Sequence, residues 1–168
     1  TKLDSDVGRY NQLANLCDSD YILFLKQGDV IEEHVFTLLA EEIISYPSLD
    51  LVYFDEGKIN PKGVKLSPNF KPSWSPDLLY SNNYILNGFV IRTSIFESVG
   101  EFNKSFQSAF KYDLMLRCAE KTNKVSHISG VLLHPLTQNQ YPDQLEEEKL
   151  AIEKALERRG VKGSLNIQ

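Results

Sequence analysis

Five consecutive apolar residues, Tyr21-Ile22-Leu23-Phe24-Leu25, constrain this chain more than any other feature. A run of strand length without polar alternation marks a strand buried on both faces. After the break at Gly28-Asp29, Ile31, Val35, Leu38, Leu39, Ile43 and Tyr46 recur every three or four residues up to Pro47. That spacing predicts a helix over 30–46. Leu51-Val52-Tyr53-Phe54 then repeats the buried-strand pattern. Strand, helix and strand in such quick succession read as a βαβ unit, and hence as an α/β fold with a parallel-type sheet flanked by helices.

Farther along, Asn60-Pro61-Lys62-Gly63 is a turn signal closing a small hairpin between Lys58 and Lys65. The stretch 67–83 carries Pro68, Pro72, Trp74 and Pro76, so it is expected to be irregular, with one short helix near 77–80. A strand over 88–92 and a helix over 94–99 follow, ending at Gly100. Tyr112, Met115, Leu116 and Ala119 mark an amphipathic helix, and 125–128 and 131–134 read as two short strands about the Ser129-Gly130 turn. The last helix, over 142–160, has Asp143 and Glu146 to Glu148 at its start, Arg158 and Arg159 at its end and Gly160 as its stop.

At 168 residues with 42% hydrophobic content, the chain can bury a core, and no linker divides it; a single domain over 1–168 is expected. A net charge of −5 argues against a nucleic-acid binder, which ordinarily carries a basic face. Cys17 and Cys118 are too far apart for a CxxC pair, so no disulfide framework or zinc cluster is indicated. No apolar run approaches the roughly 20 residues of a membrane span, and the opening is polar. A cytoplasmic setting is expected. Val7 to Cys17 look helical, and only two long central-type strands are legible, so the chain reads as beginning part-way through a larger fold.

The order of local motifs resembles the C-terminal two-thirds of a GT-A catalytic domain of glycosyltransferase family 2, in its bacterial O-antigen and rhamnosyltransferase-like branch. The resemblance runs through Gly8-Arg9-Tyr10-Asn11, Asp20-Tyr21-Ile22-Leu23-Phe24-Leu25 and Asp50-Leu51-Val52-Tyr53-Phe54-Asp55-Glu56-Gly57-Lys58-Ile59. Its most specific part is Phe70-Lys71-Pro72-Ser73-Trp74-Ser75-Pro76-Asp77-Leu78-Leu79. It continues through Ser81-Asn82-Asn83-Tyr84-Ile85, Val99-Gly100-Glu101-Phe102 and Tyr112-Asp113-Leu114-Met115-Leu116-Arg117. It closes with Val131-Leu132-Leu133-His134 and Leu156-Glu157-Arg158-Arg159-Gly160.

The resemblance implies a nucleotide-diphosphate sugar at the carboxyl ends of the strands and inverting transfer to a polysaccharide or lipid-linked acceptor. It also implies a divalent cation, Mn²⁺ or Mg²⁺, to stabilise the departing diphosphate, and a carboxylate to take the acceptor proton. The setting implied is the cytoplasm, peripheral at the inner face of the bacterial membrane.

Three departures stand against that pattern. The turn expected to carry Asp-x-Asp reads Lys26-Gln27-Gly28-Asp29, which leaves Asp29 as a metal-ligand candidate and, on local grounds, as the N-cap of the 30–46 helix with Glu32 three residues on. The family's base position holds Lys111, an amine that is protonated at neutral pH unless strongly shifted. Asp113, next in line, is either a base or a charge stabilising its helix start. Third, the strands that would hold the nucleoside are not expected within these residues. His134 is a candidate contact for metal or diphosphate, or else a structural strand-end residue. Asp55, Glu56 and Trp74 are candidates for acceptor contact; the acids alternate across a strand end, so one at most is expected in a cleft, the bland alternative being solvated loop acids.

Three readings follow. In the first, the chain is a glycosyltransferase domain whose activity needs a preceding segment, so that alone it is inactive. In the second, it is a non-catalytic GT-A-like binding or assembly module beside a tandem transferase domain. In the third, Lys26 and Lys111 clamp a diphosphate without metal.

Overall fold

A computed structural model of the chain describes residues 6–136 and 143–161. Among those residues five strands, β1 (Tyr21–Leu23), β2 (Val30–Ile31), β3 (Leu51–Glu56), β4 (Phe89–Arg92) and β5 (Val125–His134), form one sheet in the order β1-β4-β3-β5-β2. Among the described residues six helices accompany them: α1 (Asp6–Ala14), α2 (Val35–Ser45), α3 (Pro76–Leu79), α4 (Thr93–Ser98), α5 (Phe110–Ala119) and α6 (Gln144–Arg158). The α/β class with helices flanking a sheet is the one expected; the pairing is more mixed. Only β3 and β5 are parallel neighbours, while β4 inserts antiparallel between β1 and β3. Because both flank β4 in the antiparallel sense, β1 and β3 still run the same way, as the βαβ pattern requires.

Successive side chains of the central strands enter two cores. Leu51 and Tyr53 of β3, with Phe89 and Ile91 of β4, pack into a large core with Phe96, Phe102 and the buried apolar residues of α5 and α6. Val52, Phe54 and Val90 face the other side, against Val35 and Leu39 of α2. Every residue of β3 is buried, which is why its sequence does not alternate.

Three expectations are corrected. The run 21–25 is not a strand buried on both faces: β1 ends at Leu23, has only β4 beside it among the described residues, and leaves Tyr21 and Leu23 half-buried and Leu25 36% exposed. The second helix starts at Val35, not Val30, because Val30 and Ile31 leave the helical path to pair with His134 and Leu133. Asp29 is therefore not its N-cap. Its carboxylate closes a turn, Oδ2 accepting from the Lys26 N–H at 2.8 Å and Oδ1 from the Leu136 N–H at 3.2 Å, and Gly28 supplies the left-handed backbone (φ 92°) that turn needs. Likewise, 125–134 is one continuous strand, and the Ser129-Gly130 signal marks irregular register against β3 instead of a turn.

The remaining elements lie where the patterns put them. The Lys58–Lys65 hairpin is closed by Asn60, whose Oδ1 accepts from the Lys62 and Val64 N–H groups. The last helix runs from Gln144 to Arg158, and position 142 of the expected span lies outside the described residues.

Candidate functional site

The topology brings the chemistry-bearing residues to one edge. Since β1, β3 and β5 run the same way, their carboxyl ends place Lys26, Glu56 and His134 along that edge, and the start of β4 adds Asn87. The carboxyl edge is where open α/β sheets hold ligands.

Asp55 and Glu56 are 3% and 5% exposed, so they are not solvated loop acids. The register of β3 against β5 shifts on both sides of Asp55, and such irregularities re-aim side chains. Both acids converge on Lys71. Asp55 Oδ1 accepts from the Lys71 N–H at 2.8 Å and lies 2.8 Å from His127 Nε2, while the His127 ring stacks on Tyr53 at 4.7 Å. Glu56 Oε2 accepts from Lys71 Nζ at 3.3 Å and from the Asn87 and Gly88 N–H groups, each at 3.1 Å. The Lys71 side chain is wholly buried. Burial pushes its ammonium pKa down, and Glu56 acts in the opposite direction. One ion pair thus pins the 85–88 segment, where Leu86 holds a left-handed φ of 54°, to the end of β3.

That segment presents Asn87, whose Oδ1 accepts from Lys111 Nζ at 3.0 Å. Lys111 is 7% exposed. Burial pushes its pKa down to about 8; the charges of Lys26 and Lys71 act in the same sense, Asp29 and Glu56 against it. Asp113 lies elsewhere: two residues on, it sits about 200° around the helix. It is 1% exposed, and its Oδ2 accepts from Arg117 Nε and Nη2 at 2.9 and 2.7 Å. The structure therefore separates the two base candidates, and Asp113 is half of a buried ion pair.

His134 Nε2 lies 2.6 Å from Glu32 Oε1, which also receives Lys65. Its Nδ1 is buried, has no hydrogen-bond partner among the described residues, and faces Gly57, where an added Cβ would come within 2.7 Å. Trp74 packs against the large core from its proline-rich loop. The donor set does not fit a hard divalent cation, which needs several oxygen ligands. Both Asp29 carboxylate oxygens already accept backbone N–H groups, Lys26 holds an expected ligand position, and the described residues contain no grouping of three metal-ligating side chains.

Sequence reasoning did not single out Lys71, Asn87 or His127. Lys71 stood inside the most specific motif, a usable signal; Asn87 and His127 carried none, since only tertiary contacts assemble them.

No protein-family model matches the chain. Among curated proteins it is similar to the O-antigen biosynthesis protein RfbC of Myxococcus xanthus, 36% identical over 118 residues, which is 70% of this chain and 9% of that protein. It is also similar to the uncharacterized protein y4gI of Sinorhizobium fredii, 33% identical over 124 residues, covering 73% and 14%. The chain thus spans a small fraction of each relative's length. Crystal structures of S. aureus TarS 1-349 match it in fold. The complex with UDP-GlcNAc gives a TM-score of 0.69 at 14% identity, over 93% of this chain and 48% of that one. The UDP complex gives 0.68, also at 14% identity, over 91% and 45%. The fold is glycosyltransferase-like, of the GT-A kind. No helix among the described residues is long and apolar enough to cross a membrane.

Proposed function

We propose that the chain is a glycosyltransferase family 2 domain of cell-surface polysaccharide synthesis. Its carboxyl sheet edge receives the diphosphate of a nucleotide sugar, and by itself it does not carry out metal-dependent transfer. The observation that carries this reading is the fold shared with TarS bound to UDP-GlcNAc across 93% of the chain; the likeness to RfbC supports the polysaccharide setting. The glycan acceptor then approaches on the side of Asp55, Glu56 and Trp74, and the domain works at the cytoplasmic face of the membrane. Transfer requires a group that takes the acceptor's proton as the sugar moves. Here Lys111, the residue at the base position the resemblance implies, is an amine bonded to Asn87, and Asp113 is tied to Arg117.

That ion pair favours a second reading, a non-catalytic module retained beside an active transferase domain. Two measurements test the donor site and the inactivity: calorimetry with UDP-, dTDP- and GDP-sugars with and without Mn²⁺, and an assay for released nucleoside diphosphate. Weak binding without release is expected of this chain. Metal-dependent turnover by it would defeat the inactivity, and absence of any binding, with or without Mn²⁺, would defeat the donor site. Turnover by a longer polypeptide that stops when this domain is deleted supports the first reading over the second.

A further inference from the structure

We infer that the Lys58–Lys65 hairpin, with Leu66 and Phe70 behind it, docks on the surface of an anionic lipid bilayer. The inference rests on the membrane setting proposed above, not on the donor site, and names the surface that meets the lipid.

Charge is segregated along this part of the chain. Residues 27–56 hold eight acids and no lysine or arginine, whereas 57–76 hold Lys58, Lys62, Lys65 and Lys71 and no acid. Outside that second stretch, 14 Lys and Arg (18 less these four) stand against 23 Asp and Glu. The fold aims part of the positive charge outward. Lys71 is sealed against Glu56 and the Ile85 carbonyl, and Lys65 reaches Glu32. Lys58 and Lys62 are exposed, and their ammonium groups make no ion pair among the described residues.

Every residue from 61 to 70 is exposed, including Val64, Leu66 and, at 71%, Phe70. These side chains do not hang on a slack loop. The Leu66 N–H donates to the Lys58 carbonyl at 2.7 Å, Asn69 and Glu56 exchange backbone bonds, and the Ile59 N–H donates to the Pro135 carbonyl at 3.0 Å. Leu66 and Asn69 thus lie opposite residues only two apart, which keeps Phe70 close to Leu66. Apolar side chains among lysines suit an anionic bilayer, where the former enter the headgroup boundary and the latter meet acidic headgroups. Phe36 and Ile44 on α2 are also exposed, but they stand in the all-acid stretch, which such a surface repels. Charge therefore chooses between the two apolar surfaces. Two lysines at about fivefold each, with three apolar side chains, give reversible docking and not an anchor. The hairpin leaves β3 directly after Glu56, so docking turns the carboxyl edge of the sheet toward the membrane, where a lipid-linked acceptor is presented.

The test is cosedimentation of the chain with vesicles of phosphatidylcholine alone and of equal parts phosphatidylcholine and phosphatidylglycerol, at about 0.1 and 0.5 M salt. Expected is binding to the anionic vesicles that weakens at the higher salt, with little to the neutral ones. Lys58→Gln with Lys62→Gln is expected to weaken it about tenfold or more. Leu66→Ser with Phe70→Ser is expected to weaken it by a similar factor, whereas Phe36→Ser with Ile44→Ser leaves it unchanged. A thermal melt identifies any variant that fails to fold. Phe70→Trp then carries the test by itself: its emission is expected to shift to the blue on anionic vesicles, beyond any change shown by the single Trp74 of the parent chain. No binding to anionic vesicles, equal binding to both kinds, binding that survives either hairpin pair unchanged, loss in the α2 pair instead, or no emission shift overturns the inference. UDP calorimetry on the same proteins separates the two readings. UDP binding beside failed vesicle binding leaves the donor site standing, and vesicle binding without any UDP response leaves the hairpin standing and removes the donor site.

Discussion

Lys111 and Asp113 show how far two residues can differ when a helix turns between them. Both are buried in the first turn of α5, one with a neutral amide partner, the other with a guanidinium. Lys111 leaves a mark on stability. Its folded pKa of about 8 lies below the ordinary 10.5, so between those values the unfolded chain binds the extra proton and stability rises with pH. For one group the slope is at most about 1.4 kcal/mol per pH unit. Cys118, pushed up to about 12 by burial, opposes it above pH 9, so the Lys111 contribution is read as the difference between wild type and Lys111→Met in urea unfolding from pH 7 to 10.5. That difference is expected to shift in the wild type's favour as pH rises; a constant difference would mean Lys111 is not held near 8. For Asp113, Arg117→Ala leaves a buried carboxylate without its cation and is expected to cost about 3–5 kcal/mol. Arg117→Ala with Asp113→Leu should recover part of that loss in the same measurement.

At the level of the element, the start of α5 is set from another helix. Glu147 of α6 accepts from the Gln107, Ser108 and Ala109 N–H groups, at 2.7 to 3.1 Å, and from Ser108 Oγ. Burial alone would raise its pKa, but those bonds outweigh it and hold the carboxyl below 4.5. A depressed acid stabilises above its unfolded pKa and loses that contribution as pH falls below it. Glu147→Gln is therefore expected to destabilise by about 2 kcal/mol at pH 7 and by much less at pH 3, read from denaturant midpoints. None of this is visible locally, since 38 to 40 residues separate the partners. The Asp29 misreading has the same origin. An aspartate before an apolar periodic run is a good cap by local rules, yet pairing with β5 removes Val30 and Ile31 from the helix, and the carboxylate closes the turn instead. The hairpin at Asn60, by contrast, was legible because its bonds lie within four residues.

For the whole molecule, the donor set predicts indifference to divalent cations. A site occupied a hundredfold above its Kd would add about 2.7 kcal/mol, or roughly 5–11 °C in Tm for a chain of this size. Millimolar Mn²⁺ or Mg²⁺ is expected to move Tm by less than about one degree in a thermal melt, and a shift of several degrees would reveal a site these side chains do not offer.

The sequence by itself determined the α/β class, the buried central strand 51–54, the positions of most helices and the turn chemistry at Asn60 and Gly100, because each depends on periodicity or on neighbours a few residues away. Tertiary structure alone decided that β4 inserts between β1 and β3, that Asp55 and Glu56 are both buried on Lys71, and that Asn87 meets Lys111. Those outcomes join segments 14 to 31 residues apart or more, and the buried charges of Glu56 and Lys71 meet only when the fold brings such segments to one edge of the sheet.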